Sequence, residues 1–384
     1  MTPAARYQAA ADIIDRILAG APAEQALTGW ARASRFAGSK DRAAIRDHVF
    51  DMLRCKRSLA HLGGGMSGRA LTLGLLRRDG LDPDAVFTGI GHAPALLTWA
   101  EATPVTAPIS ETAALDCPDW LAPELRRSLG SDFAPIMDAL RARAPVFLRV
   151  NTARITRPEA MAALQAEGIA AHPHPLADTA LEVTHNARAI HRSAPYLDGL
   201  IELQDASSQA VIAALPDLTG ARVLDYCAGG GGKALAMAAR GADVTAHDAA
   251  PRRMADLPAR ARRAGAQITV TQNPGGPFDL VLVDAPCSGS GTWRRSPDAK
   301  WRLTAGQLDD LRRTQATILA DVAELVRPGG WLAYATCSLL CCENDDQITA
   351  FLHAHPAYRL QDTLGLTPLT GGDGFYMALM ARTP

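Results

Sequence analysis

Two cysteines stand in surroundings that invite chemistry. Cys287 closes D-A-P-C (284–287) and is followed by S-G-S-G, and Cys337 lies within Y-A-T-C-S (334–338). Each comes just after an apolar run with the texture of a buried strand, Phe278–Asp284 for the first and Gly330–Thr336 for the second. A free cysteine is most often a small buried hydrophobe, but the proline, glycines and serines here argue against core burial. Two thiols and the Asp284 carboxylate at strand ends suggest thiolate chemistry, with a sulfur as nucleophile. A metal site is the weaker alternative: C-S-L-L-C-C (337–342) is cysteine-rich, yet no matching His or Cys pair completes a ligand set, and no metal is expected. Which cysteine would attack is left open by the residues themselves.

A second constellation is V-L-D-Y-C-A-G-G-G-G-K (223–233). Four glycines between a strand and a helix let the backbone approach a ligand, and the helix start offers free N–H groups. Gly229-x-Gly231-x-x-Ala234 fits a dinucleotide fingerprint, and Asp248 follows about 20 residues on, where a ribose-binding acid belongs. Asp248 could equally cap the segment that starts near Pro251. The loop is not a Walker A motif, because Cys227 replaces its first glycine and Ala234 its Ser/Thr. A nucleotide-like ligand is expected; the loop does not say which.

The elements that must hold these residues alternate regularly. Helix Ser207–Leu215 leads to strand Arg222–Tyr226, helix Lys233–Arg240, strand Asp243–His247 and helix Arg252–Ala264. Strand Phe278–Asp284, helix Ala305–Val326, strand Gly330–Thr336 and helix Glu343–His353 follow. That pattern predicts a mostly parallel, doubly wound sheet whose ligands bind beyond the C-terminal strand ends. Residues 1–140 read as all helical, with segments at Tyr7–Leu18, Asp41–Leu59, Arg69–Arg77, Trp120–Leu129 and Phe133–Ala142. Residues 141–204 read as a small α+β module, and 205–384 as the sheet domain.

Bulk properties narrow the function classes. Nothing approaches 18 uninterrupted apolar residues, so a membrane span is not expected, and the N-terminus lacks the look of a signal peptide. Seven cysteines without C-x-x-C spacing fit reduced thiols in a cytoplasm. Net charge is −1, but residues 31–60 hold eight Lys/Arg against three Asp, and 251–263 five Arg against one Asp. Such clusters are phosphate footprints or solvated helix faces. Trp293, Arg294, Arg295, Lys300 and Trp301 form a basic, aromatic stretch just after the Cys287 loop, suited to flanking nucleotides, although Trp301 alone reads better as a core anchor. A monomer is the default, since no coiled-coil pattern or interface stripe is present.

Taken together, F-L-R-V-N (147–151), Q-D-A-S-S-Q (204–209), D-Y-C-A-G-G-G-G-K (225–233), D-A-P-C-S-G-S-G (284–291), R-R-S-P-D-A-K-W (294–301), Y-A-T-C-S (334–338) and D-G-F-Y (373–376) resemble the Sun-type (RsmB-like) RNA cytosine-5 methyltransferases, in that family's order. The likeness spans roughly 145–384. Residues 36–54 resemble, less specifically, the NusB-like RNA-binding domain fused to many bacterial members. The resemblance implies a Rossmann-like class I methyltransferase domain and S-adenosylmethionine as cofactor. Cys227, Ala228, Gly229, Gly230, Gly231, Gly232 and Lys233 would wrap its methionine and ribose end, Asp248 would bind the ribose, and Asp284 would lie between cofactor and base. The family places an aspartate near the end of the next strand for the adenine; this chain reads V-T-Q-N-P-G-G, which makes Asn273 the candidate. By the same resemblance Cys337 is the nucleophile toward carbon 6 of cytosine and Cys287 assists product release. That chemistry asks for a carboxylate to orient the base, which is expected of Asp284, and Lys233 would hold the carboxylate or the base, or be a surface lysine on the first helical turn. The implied substrate is RNA, with small-subunit ribosomal RNA favoured. The rival readings are a tRNA methyltransferase, a DNA methyltransferase, a dehydrogenase and a non-catalytic RNA-binding or assembly factor.

Overall fold

The computed structural model describes all 384 residues, which pack as two units. One comprises residues 1–126, 130–143 and 293–302, the other 127–129, 144–292 and 303–384.

The first unit is helical. Helices Pro3–Leu18, Ala23–Ala33, Ser39–Arg54, Lys56–Gly63 and Gly68–Arg78 bury Ile13, Ile14, Ile45, Val49, Met52, Leu59 and Leu71 in one core. The helix expected over Asp41–Leu59 is two helices, broken at Cys55 (φ −112°, ψ 30°). Remote groups explain the break by satisfying the backbone atoms it frees. The Asp116 carboxylate accepts the N–H groups of Arg57 (2.7 Å) and Ser58 (2.9 Å) and the Ser58 hydroxyl (2.7 Å). At the end of the preceding helix, Lys300 Nζ donates to the Arg54 carbonyl (3.1 Å) and Trp301 Nε1 to the Leu53 carbonyl (2.6 Å). A cation and an indole N–H at a helix C-terminus suit its exposed carbonyls.

The basic, aromatic stretch therefore does structural work, which differs from its expected nucleotide-facing role. Trp293 and Lys300 are buried, and Arg294 with them. Asp298 accepts the Ala23 N–H at the start of another helix (3.1 Å). Burial pushes the Lys300 ammonium down to about 8. The 31–60 charge cluster is likewise partly spent on packing: Arg46 pairs with Glu24, Arg54 with Asp51, and Arg57 with Asp119.

The second unit holds two sheets. β1 (Val146–Val150), β2 (Ala170–Pro173), β3 (Ala180–His185) and β4 (Ile201–Leu203) form an antiparallel sheet of order β2-β3-β1-β4. β5 (Arg222–Asp225), β6 (Asp243–Ala246), β7 (Ile268–Val270), β8 (Phe278–Asp284), β9 (Val326–Thr336), β10 (Tyr358–Leu366) and β11 (Phe375–Arg382) form the other, ordered β10-β11-β9-β8-β5-β6-β7. β7, β6, β5, β8 and β9 run parallel and β11 antiparallel, the class I methyltransferase arrangement expected from the sequence. Both faces of this sheet are buried. Val223, Leu280, Leu282 and Ala333 face one layer with Val211 and Met237. Leu224, Val281, Val283 and Leu332 face the other with Leu319, Val322 and Phe351. Strands covered on both faces read as continuous apolar runs, which is why β5 and β8 were legible. The sheet order reverses direction between β5 and β8, which opens a crevice at their C-terminal ends.

Candidate active site

Because β5, β6, β8 and β9 are parallel and adjacent, their C-terminal ends share one edge. Asp225 ends β5, Asp248 follows β6, Asp284 ends β8 and Cys337 follows β9. Positions up to 112 residues apart in sequence are thereby gathered at one edge.

The two thiols meet: Cys287 Sγ and Cys337 Sγ lie 3.4 Å apart. The Cys337 hydrogen bond, burial and then the charges of Cys337 and Glu343 push the Cys287 thiol well above its ordinary value. A raised pKa favours the protonated form of Cys287. Next to them, Lys233 Nζ bonds Asp284 Oδ2 at 2.7 Å and sits 5.0 Å from the centre of the Phe375 ring. Burial alone would lower the Lys233 pKa, but Asp284, then Asp225 and Cys337, outweigh it and hold the ammonium above the usual lysine value.

The glycine-rich loop is shaped by close packing. Gly231 has φ +78°, which strains any other residue, and a Cβ there would stand 2.2 Å from Leu257 Cδ1 and force that side chain to move. The Ala228 N–H donates to the His247 carbonyl (2.9 Å) and the Gly231 N–H to the Ala228 carbonyl (2.8 Å). Gly230 is exposed, and its carbonyl accepts from Arg260. Arg260 and Arg263 both pair with the buried Glu202 of β4. Much of the 251–263 charge cluster thus braces the loop. The Gly232 carbonyl accepts from the buried Arg149 (2.5 Å), the arginine of F-L-R-V-N. Cys227 is not a reactive thiol: burial, then Asp225, Asp284 and Asp248, push it to about 12.

Asp248 lies at 3% exposure, accepting from the Gly229 N–H (2.9 Å) and the Ala250 N–H (2.9 Å), with Arg253 at 3.2 Å. It both locks the loop and retains lone pairs for hydroxyl donors. Asn273 follows β7, which runs parallel to β6. It is exposed on the loop after β7, where its N–H bonds Thr271 Oγ1 (3.2 Å) and its amide makes no hydrogen bond.

Two buried acids at this edge escaped the sequence reading. Glu343, expected only as a helix start, is fully buried between the two cysteine loops. Asp225 is fully buried, and neither carboxylate oxygen has a hydrogen-bond partner; the nearby Ala234 N–H lowers its pKa a little without completing a bond. Burial first, then the Asp284 charge, raises Asp225 to about 7. An acid inside V-L-D was the available signal for Asp225; Glu343 had none, since its partners are remote in sequence.

The sign of the Asp225 effect on stability is fixed. The folded chain holds this proton up to about pH 7, whereas the unfolded chain releases it near pH 4. The stabilisation is complete below about pH 4 and is lost as pH rises to 7, at up to about 1.4 kcal/mol per pH unit. Asp225→Asn should remove that slope, so its melting temperature should gain on the parent's between pH 4 and 8. Parallel curves in a thermal-melt series would sink this assignment.

Comparisons with known proteins fit this geometry. A family model described as 16S rRNA methyltransferase RsmB/F matches residues 212–380. Another, a ferredoxin-like domain of RsmF/B-like methyltransferases, matches 117–190. The ribosomal RNA small subunit methyltransferase B of Salmonella arizonae is 36% identical over 284 residues, covering 69% of this chain and 66% of that protein. The protein of the same name from Salmonella newport is 35% identical over the same shares. The match thus spans just under two thirds of these relatives' length. Among solved structures, PH0851 superposes with TM-score 0.77 at 21% identity over 100% of this chain and 99% of its own. A methyltransferase homolog protein from Pyrococcus horikoshii gives 0.63 at 23% identity over 71% and 100%. These two share the fold.

Proposed function

The chain belongs to the RsmB/F family of rRNA methyltransferases, and from that premise we propose that it methylates carbon 5 of a cytidine in RNA, with small-subunit ribosomal RNA as the substrate class. The observation that carries this reading is the Cys287–Cys337 pair at 3.4 Å beside the Lys233–Asp284 bond. A dehydrogenase has no use for such a pair.

The residues present fit S-adenosylmethionine. The orphaned Asp225 carboxyl offers a buried hydrogen-bonding partner for a ligand's donor groups. Asp248 would hold the ribose hydroxyls, and Asn273 offers its amide to the adenine edge. When bound, the cofactor supplies an electrophilic methyl group.

This chain's own residues do the rest. Carbon 5 of cytosine is a poor nucleophile until a thiolate adds at carbon 6. Cys337 forms that bond. Asp284 accepts from the cytosine amino group and favours a proton at N3 as the ring becomes enamine-like. After methylation a base takes the carbon-5 proton, the carbon–sulfur bond breaks, and Cys337 leaves as thiolate. The Cys287 thiol, 3.4 Å away, stabilises that leaving sulfur by donating to it. The base must be unstacked to reach this edge, at a cost of about a few kcal/mol in a duplex. The seven free cysteines suit a reducing compartment such as the cytoplasm.

The test is to incubate the full chain with methyl-labelled S-adenosylmethionine and, separately, small-subunit ribosomal RNA, tRNA and duplex DNA. The expected product is 5-methylcytosine in the ribosomal RNA. Product in tRNA alone would reassign the substrate, and RNA binding without product in any arm would favour an assembly factor.

A further inference from the structure

Each cysteine of the pair is followed by a serine, and both serines bond one carboxylate. Ser288 Oγ lies 2.5 Å from Glu343 Oε2, and the Ser288 N–H 2.8 Å from Oε1. Ser338 Oγ also donates to Oε2. Gln315 Nε2 reaches Oε1 at 3.0 Å while bonding the Pro286 carbonyl at 2.9 Å. The main-chain carbonyl of Glu343 accepts from Tyr334 OH on β9 (2.7 Å). Glu343 is 0% exposed, and no lysine, arginine or histidine pairs with it.

A buried acid without a counter-ion is an expensive way to fill space, since an apolar residue would pack at lower cost. What it adds is registration. The loops after β8 and β9 share no covalent link, so noncovalent bonds alone set the distance between their sulfurs. The other cross-links are the Ser288–Ser338 (3.3 Å) and Ser290–Ser338 (3.1 Å) hydroxyl pairs, the Leu339 N–H to Ser290 Oγ (2.8 Å) and the Gly291 N–H to the Cys337 carbonyl (3.0 Å). Glu343 is the one charged group among these links, and its carboxylate bonds the residue directly after each cysteine.

We propose that Glu343 is a positioning residue: its carboxylate fixes the register of the two cysteine loops and so the approach of their sulfurs, without touching cofactor or RNA. The catalytic consequence rests on the methyltransferase reading; the registration itself does not. A misplacement on the order of 1 Å can cost about 10²-fold in rate.

Two readouts on the full chain test this. In steady-state methyl transfer, Glu343→Gln should lower kcat by about 10²-fold, with KM for RNA and cofactor within threefold, and Glu343→Asp should recover part of the loss. Independently of methylation, the pH profile of Cys287 alkylation by iodoacetamide should move down by about one pH unit in Glu343→Gln, because a neighbouring negative charge is gone. If Glu343→Gln fails to fold, Ser288→Ala and Ser338→Ala each remove one link and should each cut kcat by about tenfold. An unmoved alkylation profile with kcat within threefold would overturn the proposal. So would a loss of kcat that merely tracks lost melting temperature and cofactor binding. Should the parent methylate no RNA, the functional reading fails while the alkylation profile still decides the role of Glu343.

Discussion

Cys337→Ala is expected to abolish methyl transfer, and Cys287→Ala to leave RNA covalently trapped on the protein. Removing a nucleophile costs on the order of 10⁴- to 10⁶-fold in kcat, because the remaining groups cannot replace the covalent step. The two alanine variants should behave differently, and the geometry supplies the reason. Cys287 holds its proton, through its bond to Cys337, burial and the charges around it, so it is poorly suited to attack. It is well placed, 3.4 Å from Cys337, to stabilise a departing thiolate. Without it, attack by Cys337 and methylation proceed but the carbon–sulfur bond breaks slowly. A denaturing gel with radiolabelled RNA should show an adduct with Cys287→Ala in the presence of S-adenosylmethionine, and none with Cys337→Ala. An adduct only with Cys337→Ala would reverse the roles.

The second large effect concerns the Lys233–Asp284 pair. Lys233→Met should lower stability by about 2 kcal/mol, less than the loss of a fully buried pair because the Asp284 side chain keeps 33% exposure. Here the stranded charge is that of Asp284, while Asp225 loses the ammonium that holds its pKa down. Asp284→Asn keeps the shape and removes the charge, so kcat should fall by 10²- to 10⁴-fold, about the worth of a positioned acid–base group, while cofactor binding persists. The ammonium is held above its ordinary pKa, so its stabilisation is present below the unfolded lysine value and lost as pH rises through the folded one. The contribution should therefore hold through neutral pH and fade only in strong alkali. Equilibrium unfolding of parent and Lys233→Met at pH 7 and near pH 11 checks this: a gap between them that fails to narrow at high pH would refute it.

Local chemistry was the most legible layer. β5 and β8 announced themselves because both faces of each strand are apolar, and the glycine loop because Gly231 takes a φ that strains any other residue. Elements whose signal is short or shared were missed. β7 is only Ile268–Val270, and β10 is an edge strand with mostly exposed residues. The break at Cys55 was invisible because it depends on Asp116, Lys300 and Trp301, far along the chain.

The sequence by itself determined the alternation of strands and helices, the family, and the residue types with the chemistry to act: Cys287, Cys337, Asp284, Lys233 and the Gly229–Gly232 loop. Those follow from periodicity and from motifs a few residues long. The tertiary structure decided which groups touch and what that does to their protons. It put the two sulfurs 3.4 Å apart, left Asp225 buried without a partner, tied both cysteine loops to Glu343, and turned the basic stretch at 293–302 into packing for the helical unit. The physical reason is that burial and Coulomb interactions depend on distance in space, and the chain separates by tens to hundreds of residues what the folded edge of one parallel sheet brings into contact.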